Sequence, residues 1–246
     1  MRLLLVNSNT SEFVTGKVAE AARLAASPGT EIRAVTGSFG ARVIGSRSEN
    51  AIAEHSTMAL VAEHAGDCDG VLIVVSYDTA VTAAREMLSV PVLGMTEAAL
   101  HVATLVGRRV GVILFGKRVL GLYRDTIAAT GLGGCVAGWR ALESAAPYAP
   151  GDQSEVERMI VDAANDLVER DHVEAIVLTG AVMAGVPARL QDKIPVPMFD
   201  GITTGVPLLE ALVRIRPAKA RTGSYALPVG RETVGLSPAL AARFKG

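Results

Sequence analysis

The feature that most constrains this chain is the stretch Asp69-Gly70-Val71-Leu72-Ile73-Val74-Val75-Ser76-Tyr77-Asp78-Thr79. An unbroken apolar run stops abruptly in small and polar residues, and a helical pattern follows. A run that is apolar on both faces suits a strand buried on both sides, the usual case in a parallel sheet. Such a strand delivers its polar end to the carboxyl edge of the sheet. The pattern recurs in Glu174-Ala175-Ile176-Val177-Leu178-Thr179-Gly180. Each copy is followed by a second short run, Val90-Pro91-Val92 and Ile194-Pro195-Val196, at the same ungapped offset of 104 residues. Two similar halves are expected, each presenting one polar crest. On this offset Ser76 matches Gly180 and Val75 matches Thr179.

The rest of the chain repeats the alternation. Strands are expected at Arg2 to Val6, Glu31 to Val35, Arg109 to Leu114, Cys135 to Trp139 and Val173 to Leu178. Helical periodicity covers about Glu12 to Ala26, Glu49 to Ala65, Ala80 to Leu88, Ala98 to Val106, the stretch after Arg118 to about Thr130, Glu155 to Asp171, Ala184 to Leu190 and Gly205 to Ile215. Thr36 to Ser48 and Ala145 to Asp152 read as loops, and the tail as irregular up to a short helix at Pro238 to Phe244. Strands alternating with helices place the chain in the α/β class, with mostly parallel sheets flanked by helices.

Composition narrows the function classes. The 246 residues are 50% apolar and 20% charged, with a net charge of −1, so no basic footprint for nucleic acid appears. No apolar run reaches the ~20 residues that span a bilayer. The apolar start, Met1 to Val6, is too short for a signal peptide, so a soluble cytoplasmic protein is expected. Cys68 and Cys135 give neither a disulfide framework nor metal-ligand spacing, and the four histidines are scattered.

Ligands of open α/β sheets bind beyond the carboxyl ends of strands. That rule selects Asn7 to Ser11, Ser76 to Thr79, Thr96-Glu97, Phe115 to Arg118, Thr179-Gly180 and Asp200-Gly201. Helix starts follow nearly all of them, and free N–H groups there favour an anionic group such as a carboxylate.

Several crests carry a resemblance. Val6-Asn7-Ser8-Asn9-Thr10-Ser11 resembles the Asn-Pro-Asn-Thr-Ser opening of the aspartate/glutamate/hydantoin racemase superfamily. Gly94-Met95-Thr96-Glu97-Ala98-Ala99 is similar to its Gly-Ile-Thr-Glu-Ala-Ala, and Met198-Phe199-Asp200-Gly201 to its Val-Ile-Asp-Gly. Gly223-Ser224-Tyr225-Ala226 resembles its C-terminal segment, and the hydantoin and allantoin racemase branch fits best. The resemblance implies two pseudo-symmetric α/β lobes with the site in the cleft between them. Residues 1–97 with 207–246 would form one lobe and 98–206 the other. It also implies cofactor-free chemistry on a small carboxylate or cyclic amide, and a homo-oligomer.

One departure bears on mechanism. Family racemases place one cysteine on each lobe, on opposite faces of the substrate's α-carbon. One thiolate takes a proton and the other thiol returns one. The resemblance puts the first of these at Ser76, or at Val75 if the loop is aligned without a gap, and the second at Gly180. Both cysteines are lacking at these positions. Cys68 and Cys135 precede strands and belong to the opposite sheet edge.

The remaining candidates are hydroxyls, amides and charges. Tyr77, Asp78 and Glu97 are the acid/base candidates, with Ser76 beside them. Asn7, Asn9, Thr10, Thr79, Thr179 and Gly180 are candidates for binding substrate, and Lys117 and Arg118 for clamping an anion. The competing roles are helix capping for Asp78, Thr79 and the asparagines, a capping box for Glu97, and a solvated helix start for Lys117 and Arg118. An enzyme acting next to a carbonyl through an enolate-like state is the expected function. A racemase is the default and a lyase, decarboxylase or hydrolase the alternative, with a catalytically silent binding protein as the reading from another class.

Overall fold

The computed structural model describes residues 1–144, 146–148, 150–228 and 230–245. The first half contains β1 (Arg2–Asn7), α1 (Glu12–Ala25), β2 (Glu31–Thr36), α2 (Arg47–His64), β3 (Gly70–Ile73), α3 (Val81–Met87), β4 (Val92–Gly94) and α4 (Met95–Val106). The second contains β5 (Val110–Phe115), α5 (Leu120–Ala129), β6 (Val136–Leu142), α6 (Ser154–Asp171), β7 (Ala175–Leu178), α7 (Val186–Leu190), β8 (Met198–Asp200) and α8 (Gly201–Ile215). A short α9 (Pro238–Ala242) closes the tail. Of the loop expected at Ala145 to Asp152, Ala145 and Ala149 lie outside the described residues, and Ala146–Tyr148 form a 3-10 turn.

Each half builds one four-stranded sheet, in the orders β2-β1-β3-β4 and β6-β5-β7-β8. Every strand pair is parallel. The order reverses at β1/β3 and at β5/β7, so the crests of those strands flank the crevice of each sheet. Strands β3 and β7 are buried throughout, as apolar runs between two helix layers must be.

The repeat is real, but its register differs from the ungapped match. Ile73 pairs with Val6, and the Val74 amide donates to the Val6 carbonyl. Leu178 pairs with Ile113, and the Thr179 amide donates to the Ile113 carbonyl. Past the strands, Asp78 N–H donates to Val75 O (2.9 Å) and Met183 N–H to Gly180 O (2.8 Å). Backbone hydrogen bonding therefore makes Val75 the counterpart of Gly180, and Ser76 that of Ala181, one residue from the sequence match. Similar apolar letters on successive strand positions hide a one-residue slip that the hydrogen-bond ladder does not allow.

The halves are interleaved. Helix α4 leaves β4 and packs on β5, β7 and β8, whereas α8 leaves β8 and returns to β3, β4 and α1. The two helices start against each other: a Cβ on Gly201 would lie 2.3 Å from the Met95 carbonyl oxygen. One apolar core runs through both halves, including Leu72, Val74, Ile113, Leu178, Ile202 and Val206. Both helices begin earlier than their apolar periodicity suggested, α4 at Met95 rather than Ala98 and α8 at Gly201 rather than Gly205. Small and polar first turns carry little apolar signal, and the side chains that cap them fix the true starts. Among the described residues no helix is long and apolar enough to cross a membrane.

Candidate active site

The crests of β1, β3 and β7 converge on one small cavity of about 50 Å³. Its polar groups come from Asn9, Ser76, Tyr77, Tyr123 and Tyr148, and its apolar wall includes Val43, Ile44, Val75 and Val182. Gly180 lies at the junction of the halves and donates its N–H to Ser76 Oγ across the cleft, at 3.0 Å. Its φ of +101° suits glycine, because an L side chain is strained there.

The β1 crest is held by a buried polar network. Asn7 is fully buried, and its amide nitrogen donates to Asn9 Oδ1 (2.9 Å), Thr15 Oγ1 (2.9 Å) and the Ser11 carbonyl. Asn7 therefore shapes the crest and does not reach the cavity. Asn9 Oδ1 also accepts from the Ser11 N–H, so its oxygen is taken up by the crest while the residue lines the cavity. Ser11 caps α1. Thr10 is tied through its backbone, donating its N–H to Ala41 O at 3.2 Å.

Tyr77 lines the cavity and donates its hydroxyl to Ile44 O at 3.1 Å, which attaches the segment from residues 37 to 46. Its ring meets that of Tyr123 at 4.9 Å between centroids. Burial pushes the Tyr77 phenol far up, and the neighbouring Tyr123 adds to the shift. Burial also raises Tyr123, while hydrogen bonding with Thr179 and Ser76 opposes the rise. The Tyr148 phenol is raised chiefly by burial. All three stay neutral near pH 7 and act as hydrogen-bond donors.

Asp78 and Glu97 turn to the other side of the crest, into a separate hollow of about 740 Å³ that also holds Thr79, Arg85 and His55. The Asp78 carboxylate accepts from the amides of Thr96 (2.9 Å) and Glu97 (2.8 Å), the first turn of α4. Burial, then the charge of Glu97, pushes its pKa up to about 8 against those hydrogen bonds. Glu97 pairs with Arg85 and accepts from the Gly94 N–H at 2.8 Å, so it closes the start of α4. Thr79 donates to Asn50 Oδ1 at 2.8 Å. Thr179 is buried and donates to the Ile113 carbonyl at 3.1 Å. Lys117 and Arg118 are exposed and outside the cavity, with the Lys117 amide held by Glu143. That crest is an exposed turn, with Arg118 beside the loop of residues 45–48.

Of the sequence candidates, the structure brings Ser76, Tyr77, Asn9 and Gly180 together at the cavity. Sequence reasoning passed over Tyr123, Tyr148 and the Val43-Ile44 wall. Tyr123 was findable, since Leu120, Tyr123 and Ile127 share a helical stripe. Tyr148 sits in a loop without periodicity and had no such signal.

A model of the Asp/Glu/hydantoin racemase family matches residues 3–209. The chain belongs to that family. A hydantoin racemase of Paenarthrobacter aurescens is 27% identical over 234 residues, 94% of this chain and 99% of that protein. The allantoin racemase of Klebsiella pneumoniae superposes with a TM-score of 0.92 at 29% identity, covering 98% of each chain. That of Pseudomonas fluorescens gives 0.88 at 31% identity, covering 96% of this chain and all of the other. Within this racemase-family fold the two cysteines stand away from the cavity. Cys68 precedes β3 and Cys135 precedes β6, at the amino edges of the sheets. The Cys68 thiol is raised by burial, as expected of a packing residue.

Proposed function

We propose that this member of the racemase family is a cofactor-independent enzyme that stabilises an enolate-like state of a small hydantoin-like cyclic amide without a pair of thiols. The carrying observation is the cavity lining: among the described residues it offers hydroxyls and amides from both halves, and no lysine, arginine or carboxylate. A neutral ring with carbonyl and N–H groups matches such a lining better than an amino or dicarboxylic acid, whose charges would meet no counter-charge. Ser76, Tyr77, Tyr123 and the Asn9 amide would donate to the carbonyl oxygen on which charge develops, and a water admitted with the ring would take the α-proton and return one to the same carbon. The segment carrying Val43 and Ile44 would move aside to admit the ring.

The backbone equivalence of Val75 and Gly180 supports the absence of two-thiol chemistry, because these paired positions face the cavity without an acidic side chain. A second reading rests on the same donor-rich, base-poor lining. A decarboxylase needs no base: the C–C bond breaks, carbon dioxide leaves, and its electron pair stays as the enolate. A phenol or water then returns the proton to carbon.

Proton NMR in deuterated water with hydantoins, allantoin, aspartate, glutamate and substituted malonates separates the readings. Loss of the α-proton signal from a hydantoin without a new product is the expected result. A new product from a malonate moves the chain to the lyase reading. Binding in a thermal-shift assay with neither change overturns the enzyme and leaves a binding protein.

A further inference from the structure

We infer that Asp78 is a positioning residue that sets Ser76 against Gly180 and so fixes the spacing of the two halves at the cavity. The argument starts from the unusual backbone of the crest. Asp78 and Ala80 both have positive φ, +49° and +59°, a conformation that non-glycine residues adopt only where surroundings hold them. For Asp78 the holding groups are the Thr96 and Glu97 amides, one on each carboxylate oxygen. Space for that carboxylate exists only because residue 94 is glycine: a Cβ there would lie 2.3 Å from Asp78 Cγ. A third bond completes the clamp, as Thr96 Oγ1 donates to the Ser76 carbonyl at 2.6 Å.

The clamp matters because of where α4 sits. Its first turn abuts the start of α8, and its body packs on β7 and β8. Asp78 therefore ties the β3 crest to a helix seated on the other half. Ser76, two residues earlier, is held by the same first turn and presents Oγ to the Gly180 N–H. The opposite half solves the same problem differently. Asp200, in the place of Gly94, caps its own helix through the Ile202 and Thr203 amides, and its other oxygen reaches the Gly185 N–H of the neighbouring crest. In one half the carboxylate comes from the helix and grips the crest; in the other it comes from the crest and grips the helix.

Amide hydrogen exchange read by NMR tests this without a ligand. The Gly180 amide reports the bond to Ser76, and the adjacent Thr179 amide, bonded to Ile113 O, reports β7. Ser76→Ala sets the reference, with Gly180 exchange expected to rise on the order of tenfold and Thr179 unchanged. Asp78→Asn keeps the size but turns an NH2 toward one α4 amide, and should reproduce that selective rise. If Asp78→Asn does not fold, Gly94→Ala carries the test, since its Cβ displaces the Asp78 carboxylate and leaves the Thr96 hydroxyl in place. Unchanged Gly180 exchange in the folded variant overturns the proposal. An equal rise at Thr179 and Gly180 overturns it as well, because it would show general loosening.

Discussion

The two crests share a backbone and differ in what holds them. The β3 crest runs Val75-Ser76-Tyr77-Asp78 and the β7 crest Gly180-Ala181-Val182-Met183, with the same turn hydrogen bond in each. In the first, an acidic residue at the end of the turn accepts from the first amides of α4, the helix after the next strand, and that helix begins at a glycine. In the second, an apolar methionine ends the turn, and the helix begins at its own capping aspartate. A duplicated architecture thus keeps the requirement, one carboxylate between crest and helix start, while the residue that supplies it has moved. The half with the crest carboxylate also carries the hydroxyls Ser76 and Tyr77, while Tyr123 and Tyr148 reach the same cavity from the other half.

The largest expected effect comes from restoring chemical symmetry. Val75→Cys with Gly180→Cys would place thiols at paired positions across the cavity. Gly180 has room for a Cβ, with Met183 Cγ at 3.5 Å, although its φ imposes strain. A gain in hydantoin α-proton exchange of roughly 10²- to 10⁴-fold over the unmodified protein is expected, measured by deuterium wash-in. No gain in a folded double variant would break the equivalence of the two crests as a site.

Next is the exchange of caps. Gly94→Ala drives a methyl into the Asp78 carboxylate and should cost ~2 kcal/mol or more by chemical denaturation. Gly94→Asp combined with Asp78→Met copies the β7 half and should recover most of that loss. Failure to recover would mean that the two halves do not solve the same capping problem.

The pH dependence of stability is a smaller effect with a definite sign. The folded-state pKa of Asp78 is raised to about 8, above its unfolded value, so the native state holds the proton more tightly. The stability linked to this group is fully present below about pH 4 and is lost as pH rises through about 8. Asp78→Asn should flatten that part of the profile, in thermal melts across the range. An unchanged slope would place the carboxylate in the ionised form throughout, held by the α4 amides.

The smallest change is Tyr77→Phe, which removes the bond to Ile44 O while leaving the ring. About 0.5–1.5 kcal/mol of local stability should be lost. Trypsin cleavage after the exposed Arg42 would rise, with global melting nearly unchanged. A matching fall in global stability would instead make Tyr77 part of the core.

The fold was legible to a large extent because buried parallel strands must be apolar throughout and must end at their crests. Arg2 to Val6, Gly70 to Ile73 and Ala175 to Leu178 announce themselves in this way. The candidate cavity was legible only in part. The crest rule selected Asn9, Ser76, Tyr77 and Gly180, which line it. That rule also selected Asp78 and Glu97, whose acidic side chains satisfy helix amides, and Lys117 and Arg118, which face solvent. A crest residue looks the same in sequence whether it caps or binds, because both tasks need the same hydrogen-bonding groups.

By itself the sequence determined the α/β class, the two related halves, the family and the lack of cysteine at the crests. These depend on local periodicity and on residue identity, which no tertiary contact alters. Only the tertiary structure decided that Val75 rather than Ser76 is the backbone counterpart of Gly180, and that Tyr123 and Tyr148 line the cavity. It alone turned Asp78 away from the cavity toward α4. Each of these rests on groups far apart in the chain, where a one-residue shift in register or one rotation of a turn sends a side chain to the opposite face.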